Sequence, residues 1–378
     1  MGSLTGMHIL FWFLLLGPAG TLVAGQYFAY APGKCEVSIS DVIQGMVSTE
    51  LGIILGTRPR LPQSKLLQYD LYTPLNPEER QLLRPGDVSM LKNSHFNPKW
   101  PVRVSIHGWA GKSTSCSNAA IKDAYLSRGN FNVIILDWSR QALDISYPRV
   151  SKQLPAIAAN VAKMLRFLHE NTGVPYEQIY LVGHSAGSHI SGLTGKMMRP
   201  QRLGAIFALD PAGLTQLSLG PEDRLAPDDA IYVESIHTDL TLLGNPSTKI
   251  SQASFFANWG LGQPHCPNAT ATEFDFVCDH FAAMFYFAES VRRPKSFPAV
   301  RCGSAKAVHT ATCSCPGGSR TCTGDEFMGG EPAIPRRGIF YLSTRRRMPY
   351  GSGDGQVYIQ PPIPSTIRET AKRRRRLR

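Results

Sequence analysis

Gly183-His184-Ser185-Ala186-Gly187 fits the pattern G-x-S-x-G. Such a pattern arises by chance about 0.2 times in a chain of this composition, so its setting must carry the reading. The apolar run Ile179–Val182 leads directly into it, and residues 188–193 read as the opening of a helix. A strand–turn–helix setting suits a nucleophilic serine, because small residues on either side of Ser185 permit the strained turn that exposes its hydroxyl. Gly192 and Gly195 are expected to let the helix sit close to the sheet.

A serine hydroxyl is a poor nucleophile until a base takes its proton, and the base needs an acid to orient it. Both should follow in chain order at the ends of later strands. Asp210 ends the apolar run Ala205–Leu209, is followed by Pro211-Ala212-Gly213, and is the best-placed carboxylate. Three downstream histidines compete as base. His237 ends a strand and reads as a hydrogen-bonded structural residue. His265 borders a cysteine in a loop. His280, in Cys278-Asp279-His280-Phe281, opens an apolar helix running to Ser290. Spacing alone does not choose between them. The third requirement is an oxyanion hole of backbone N–H groups. Ala186, the residue after the serine, supplies one, and Trp109, in the loop after Val104-Ser105-Ile106-His107-Gly108, supplies the other.

These residues need a frame. Val102–Ile106, Asn132–Leu136, Ile179–Val182, Ala205–Leu209 and Ile231–Ile236 read as strands buried on both faces. Between the second and third lies a helix whose face carries Leu154, Ile157, Ala158, Val161, Leu165 and Leu168, stopped by Gly173 and Pro175. The alternation predicts an α/β fold, a mainly parallel sheet flanked by helices. Residues 26–100 are expected to add antiparallel strands at one edge, and residues 300–330 to form a cysteine-stapled loop region.

Composition narrows the function classes. At 378 residues and 43% hydrophobic, the chain is globular rather than disordered. The formal charge of +12 suggests nucleic acid until it is located. Residues 331–378 hold twelve Arg or Lys against Glu331, Asp354 and Glu369, a net of +9, leaving +3 for the rest. A nucleic-acid partner is not expected. The apolar run Ile9–Leu16 falls short of the roughly 20 residues a membrane span needs, and Val23-Ala24-Gly25 offers a cleavage site. Residues 1–25 therefore read as a signal peptide, which implies secretion into an extracellular, disulfide-permitting compartment. Residues 26–353 are expected to be the catalytic domain and 354–378 a basic, disordered tail. Its run Lys372-Arg373-Arg374-Arg375-Arg376-Leu377-Arg378 suits heparan-type glycans or anionic lipid headgroups. Asn268-Ala269-Thr270 is a glycosylation acceptor.

Ile106-His107-Gly108-Trp109, Asp137-Trp138-Ser139, Gly183–Gly187, Leu209-Asp210-Pro211-Ala212-Gly213, Ile236-His237-Thr238-Asp239 and Cys278-Asp279-His280 occur in an order that resembles the pancreatic lipase family. The similarity covers roughly residues 30–350. It implies an α/β-hydrolase fold and carries the family triad onto Ser185, Asp210 and His280. It marks residues 267–277 as a lid closed by Cys266–Cys278. It also implies the pairs Cys302–Cys313 and Cys315–Cys322, which leave Cys35 with Cys116. No C-terminal β-sandwich is expected, and hence no colipase-type partner; the layout resembles single-domain insect lipases and venom phospholipases. The family's calcium loop aligns with Arg224–Asp229, but Ala226 stands where a carboxylate ligand is expected, so no metal or other cofactor is assigned.

The resemblance also bears on substrate, a lipid at an interface. In this family a long lid and a long loop before it wall a deep apolar site for triacylglycerol. Here the lid is residues 267–277, about half the pancreatic length, and residues 240–253 alone separate Asp239 from Ser254. A more open cleft loses apolar contact with a third acyl chain, at about 25 cal/mol per Å². It can also leave a charged headgroup in water. Phospholipase A1 activity is therefore expected to exceed triacylglycerol hydrolysis; the alternatives are a triacylglycerol lipase and an inactive lipid-binding or storage protein.

Overall fold

The computed structural model describes residues 67–266 and 276–361. Its main sheet is built from β1 (Gln68–Tyr72), β2 (Gln81–Leu83), β3 (Val102–Ile106), β4 (Asn132–Asp137), β5 (Ile179–His184), β6 (Ala205–Leu209), β7 (Tyr232–His237), β8 (Ala253–Ala257) and β9 (Pro298–Cys302), with β11 (Glu326–Phe327) and β12 (Gly338–Leu342). A separate pair joins β10 (Thr321–Thr323) to β13 (Gln356–Tyr358). The strand order is β11-β9-β12-β8-β7-β6-β5-β3-β4-β1-β2. From β12 to β4 every neighbouring pair is parallel. Antiparallel strands close both edges, β1 and β2 on one side and β9 and β11 on the other. This is the α/β-hydrolase architecture, a mainly parallel sheet flanked by helices, and the edge strands before residue 100 lie where the sequence placed them.

Four helices of eleven residues or more cover the sheet among the described residues: α1 (Cys116–Leu126), α2 (Tyr147–Thr172), α3 (Ala186–Met198) and α4 (Phe276–Arg292). The central strands are buried along their whole length because helices lie on both faces. On one face Leu154, Ile157, Val161 and Leu165 of α2 pack with Ile190 and Leu193 of α3 against Val104 and Ile206. On the other, Ile121 and Tyr125 of α1 pack with Met284, Tyr286 and Phe287 of α4 against Phe207 and Phe255. α2 starts at Tyr147, about two turns before its apolar stripe begins at Leu154, and stops where expected. Gly173 takes the left-handed conformation at φ 73°, and its N–H donates to the His169 carbonyl.

Two expectations are corrected. Gly192 and Gly195 do not bring α3 against the sheet; they bring it against the loop before β7. A Cβ on Gly192 would lie 2.6 Å from Leu225 Cα, and one on Gly195 would lie 2.0 Å from the Asp229 carbonyl oxygen. The close approach to the sheet belongs to Gly187, where a Cβ would fall 2.1 Å from the Ile106 carbonyl oxygen. Second, residues 354–361 are not the start of a tail. Val357 in β13 is fully buried, and the backbone of Tyr358 and Ile359 donates to Ser343 Oγ and the Arg320 carbonyl. Alternating polar residues and glycines hid a strand whose one apolar side chain fills a gap under β9 and β12.

The disulfides Cys266–Cys278, Cys302–Cys313 and Cys315–Cys322 are present. Cys116 is also disulfide-bonded. Its expected partner Cys35, the leader, residues 267–275 of the lid with Asn268, and the basic run from Lys372 lie outside the described residues.

Candidate active site

β5 delivers the chain to Ser185, which sits at φ 55°, ψ −119°, a conformation an L-residue avoids. The turn is held from three sides. Ser185 N–H donates to the Leu209 carbonyl at the end of β6, Ser188 N–H donates to the Ser185 carbonyl, and Ser188 Oγ donates to the Gly183 carbonyl. A Cβ on Gly183 would meet the Gly187 carbonyl at 2.4 Å, so only glycine fits where the chain folds back on itself. α3 begins at Ala186, whose N–H belongs to the first turn and has no carbonyl within the helix to bond.

Asp210 leaves β6 at φ 39° and is fully buried. Its Oδ1 accepts from the N–H groups of Thr238 (2.7 Å) and Asp239 (3.0 Å), and its Oδ2 lies 2.5 Å from His280 Nδ1. Burial pushes the carboxyl up to about 6, while the hydrogen bond and charge of His280 pull the other way. Gly244 leaves the space this carboxylate needs, since a Cβ there would lie 2.7 Å from Asp210 Oδ2. His280 stands in the first turns of α4. Its neighbour Asp279 ties that turn to the preceding loop by accepting from Gly262 and Gln263 N–H groups. The His280 carbonyl accepts from Nε2 of His184, the residue before the serine, at 3.1 Å.

The structure thus separates the three histidines. His280 meets Asp210. His237 stacks on Phe256 at 4.3 Å, bonds Ser235 Oγ, and burial drops it to about 3. His265 bonds the Tyr286 hydroxyl, and burial drops it to about 4.

The loop after β3 lies directly over the elbow. A Cβ on Gly108 would come within 2.7 Å of Ser185 Cβ. His107 braces this loop: its Nδ1–H donates to the Gly108 carbonyl, its Nε2 accepts from Trp138 N–H, and its ring stacks on the Trp138 indole at 5.3 Å. Trp138 Nε1 donates back to the His107 carbonyl. Trp109 Nε1 donates to the Asp144 carbonyl at 2.7 Å and its ring packs edge-on against Tyr147. The bracing by His107 and Trp138 was not legible as such, although both residues stand in the quoted motifs.

A model of the family described as Lipase matches residues 44–350. The chain belongs to the pancreatic lipase family. Among similar proteins of that family, "Lipase member H" of Danio rerio is 34% identical over 64% of this chain and 53% of its own length. "Phospholipase A1 member A" of Mus musculus is 30% identical over 75% and 63%. "Inactive pancreatic lipase-related protein 1" of Canis lupus familiaris is 30% identical over 68% and 58%. The chain spans between half and two thirds of the length of these relatives.

The lipase family's calcium loop can be tested against the donors present. Asp229 is buried, and both its oxygens are engaged. Oδ1 accepts from the Lys196 ammonium on α3, and Oδ2 accepts from Ala226 N–H at 2.7 Å. Arg199 stands 3.6 Å from the same Oδ1. A methyl group occupies position 226, and the carboxylate that remains is already neutralised by cations from the protein. This donor set does not fit a hard divalent ion, which takes six to eight oxygens. Among the described residues, no helix is long and apolar enough to cross a membrane.

Proposed function

We propose that the protein is a secreted carboxylic-ester hydrolase of lipids, with phospholipase A1 activity, acting through Ser185, His280 and Asp210. The observation that carries this reading is the 2.5 Å contact between Asp210 and His280, on a turn that His184 links to the strained elbow of Ser185. His280 Nε2 takes the Ser185 hydroxyl proton as Oγ bonds to the ester carbonyl carbon. Asp210 holds the opposite ring nitrogen protonated and balances the imidazolium that forms. The tetrahedral oxyanion is received by the N–H groups of Trp109 and Ala186. Its collapse passes the proton from His280 to the leaving sn-1 alcohol, giving the acyl-enzyme. Water, deprotonated by His280, then releases the fatty acid and restores the hydroxyl. No metal takes part in this scheme.

The short lid segment and the short stretch from 240 to 253 favour phospholipid over triacylglycerol. Three disulfides and the apolar leader run support secretion. The basic run from Lys372 is proposed to retain the protein on sulfated glycans or anionic lipid; a chain lacking residues 369–378 should then elute from heparin at lower salt. The decisive assay compares sn-1 acyl release from phosphatidylcholine with triacylglycerol hydrolysis at matched interfacial area, alongside labelling by a lipid-like phosphonate. Comparable or faster triacylglycerol turnover would overturn the preference. An inactive lipid-binding role, suggested by the similarity to a relative named as inactive, predicts no phosphonate on Ser185.

A further inference from the structure

His184 takes no part in the chemistry proposed above, yet it lies between the β3 loop and the turn of α4 that carries His280. The side chain is buried. Its Nε2 lies 3.1 Å from the His280 carbonyl oxygen. Its ring centroid lies 4.6 Å from the His280 ring and 4.8 Å from the Phe281 ring. On the side of the β3 loop, a Cβ on Gly108 would lie 3.2 Å from His184 Nδ1 and 3.1 Å from its carbonyl oxygen. The residue is therefore wedged between the loop offered for the oxyanion and the first turns of α4, and its backbone is the elbow itself.

We propose that His184 is a positioning residue for the general base, tying the backbone of His280 to the residue that precedes the nucleophile. The inference rests on the assignment of His280 made above. A carbonyl only accepts, so the proton of His184 is on Nε2 and the ring is the neutral Nε2–H tautomer. Asp210 meets the His280 ring at Nδ1, and Asp279 with the Cys266–Cys278 bridge anchors the same end of α4 to the loop before it, but neither anchor joins His280 to the elbow that carries Ser185. The bond from His184 supplies that link directly, since the carbonyl it holds belongs to His280 itself. Because the clamp is the residue before Ser185, any shift of the elbow carries the base with it, and the distance between hydroxyl and imidazole is conserved. Burial, reinforced by the neighbouring His280, holds His184 neutral well below the usual imidazole range. A second imidazolium 4.6 Å away would oppose the charge His280 must acquire. The titratable groups facing this ring are His280 on α4 and His107 on the β3 loop, with Asp210 beyond His280.

The test uses the full chain, a soluble short-chain ester and a phosphonate that titrates reactive serine. His184→Phe keeps a ring but lacks the donor. Per titrated site, its kcat should fall about tenfold or more with KM within about twofold, because a misplaced base affects the chemical step and not ground-state binding. The acid limb of its kcat–pH profile should move as well. His184→Gln, whose amide N–H reaches the position of Nε2, should recover most of the rate; His184→Asn, one methylene shorter, should not. A structural role alone would lower the folded fraction and leave rate per titrated site and acid limb unchanged, and that result would overturn the proposal. If His184→Phe does not fold, the Gln and Asn variants decide, and equal kcat for the two would overturn it. Absence of phosphonate on Ser185 in the wild-type chain would overturn the triad itself, and the role of His184 with it.

Discussion

Replacing Lys196 by Met isolates the cation that the protein supplies to its own loop. Lys196 belongs to the last turn of α3, and its side chain is 9% exposed; the Asp229 side chain it neutralises is 0% exposed. Removing one member of a buried ion pair strands the other and costs about 3–5 kcal/mol. Part of that cost is offset here. Ala226 N–H still bonds Oδ2, and Arg199, two-fifths exposed, remains 3.6 Å from Oδ1. The lower end, about 3 kcal/mol, is therefore expected, a fall of about 6 °C in melting temperature at about 2 °C per kcal/mol for a domain of this size. The loss should depend on pH with a definite sign. Burial raises Asp229 to about 6, with Lys196 pulling it down, so without Lys196 it should lie higher still. An acid with a raised folded-state value binds its proton in the native state where the unfolded chain does not, so stability falls as pH rises through that window. The variant should accordingly be close to wild type at pH 5 and far from it at pH 7.5. Thermal unfolding at the two pH values, with and without a chelator, measures this. The double variant Lys196→Met with Asp229→Asn should regain most of the loss, and the chelator should leave wild-type melting and turnover unchanged. A single variant within about 0.5 kcal/mol of wild type, an equal deficit at both pH values, or a wild-type chain stabilised by calcium would refute the reasoning.

Ser185→Gly should abolish ester turnover and raise stability by about 1 kcal/mol in thermal unfolding, because glycine adopts the φ 55° elbow without the strain a side chain imposes. Asp210→Asn should keep the fold yet lower kcat by about 10⁴, since an amide at this position favours the wrong His280 tautomer; rates on a soluble ester measure it. Gly187→Ala should yield little soluble protein, because its methyl group would lie 2.1 Å from the Ile106 carbonyl oxygen and neither backbone can give way.

The parts of this protein written in consecutive residues were legible without the fold. Five of the seven strands in the parallel run, β3 to β7, announce themselves as short apolar runs because they are buried on both faces, while β8 and β12 were not read as strands; α2 announces itself by its 3.6-residue stripe. The elbow was legible because Gly183, Ser185 and Gly187 must occupy one tight turn, so their spacing is local and strict. Asp210 was legible as a carboxylate at a strand end. The choice among His237, His265 and His280 was not, as far as the residues alone go; only the resemblance to a family singled out His280. All three stand next to apolar or cysteine-bearing segments, and a base is defined by what its ring meets, here a carboxylate 70 residues earlier in the chain. The same limit governs the rest. Whether Gly192 and Gly195 face the sheet or the loop before β7, whether Lys196 reaches Asp229 across 33 residues, and whether Val357 is tail or core depend on how elements stack. Periodicity says which face of an element is buried, not against what, and partners distant in the chain meet only when the sheet and its helices have assembled.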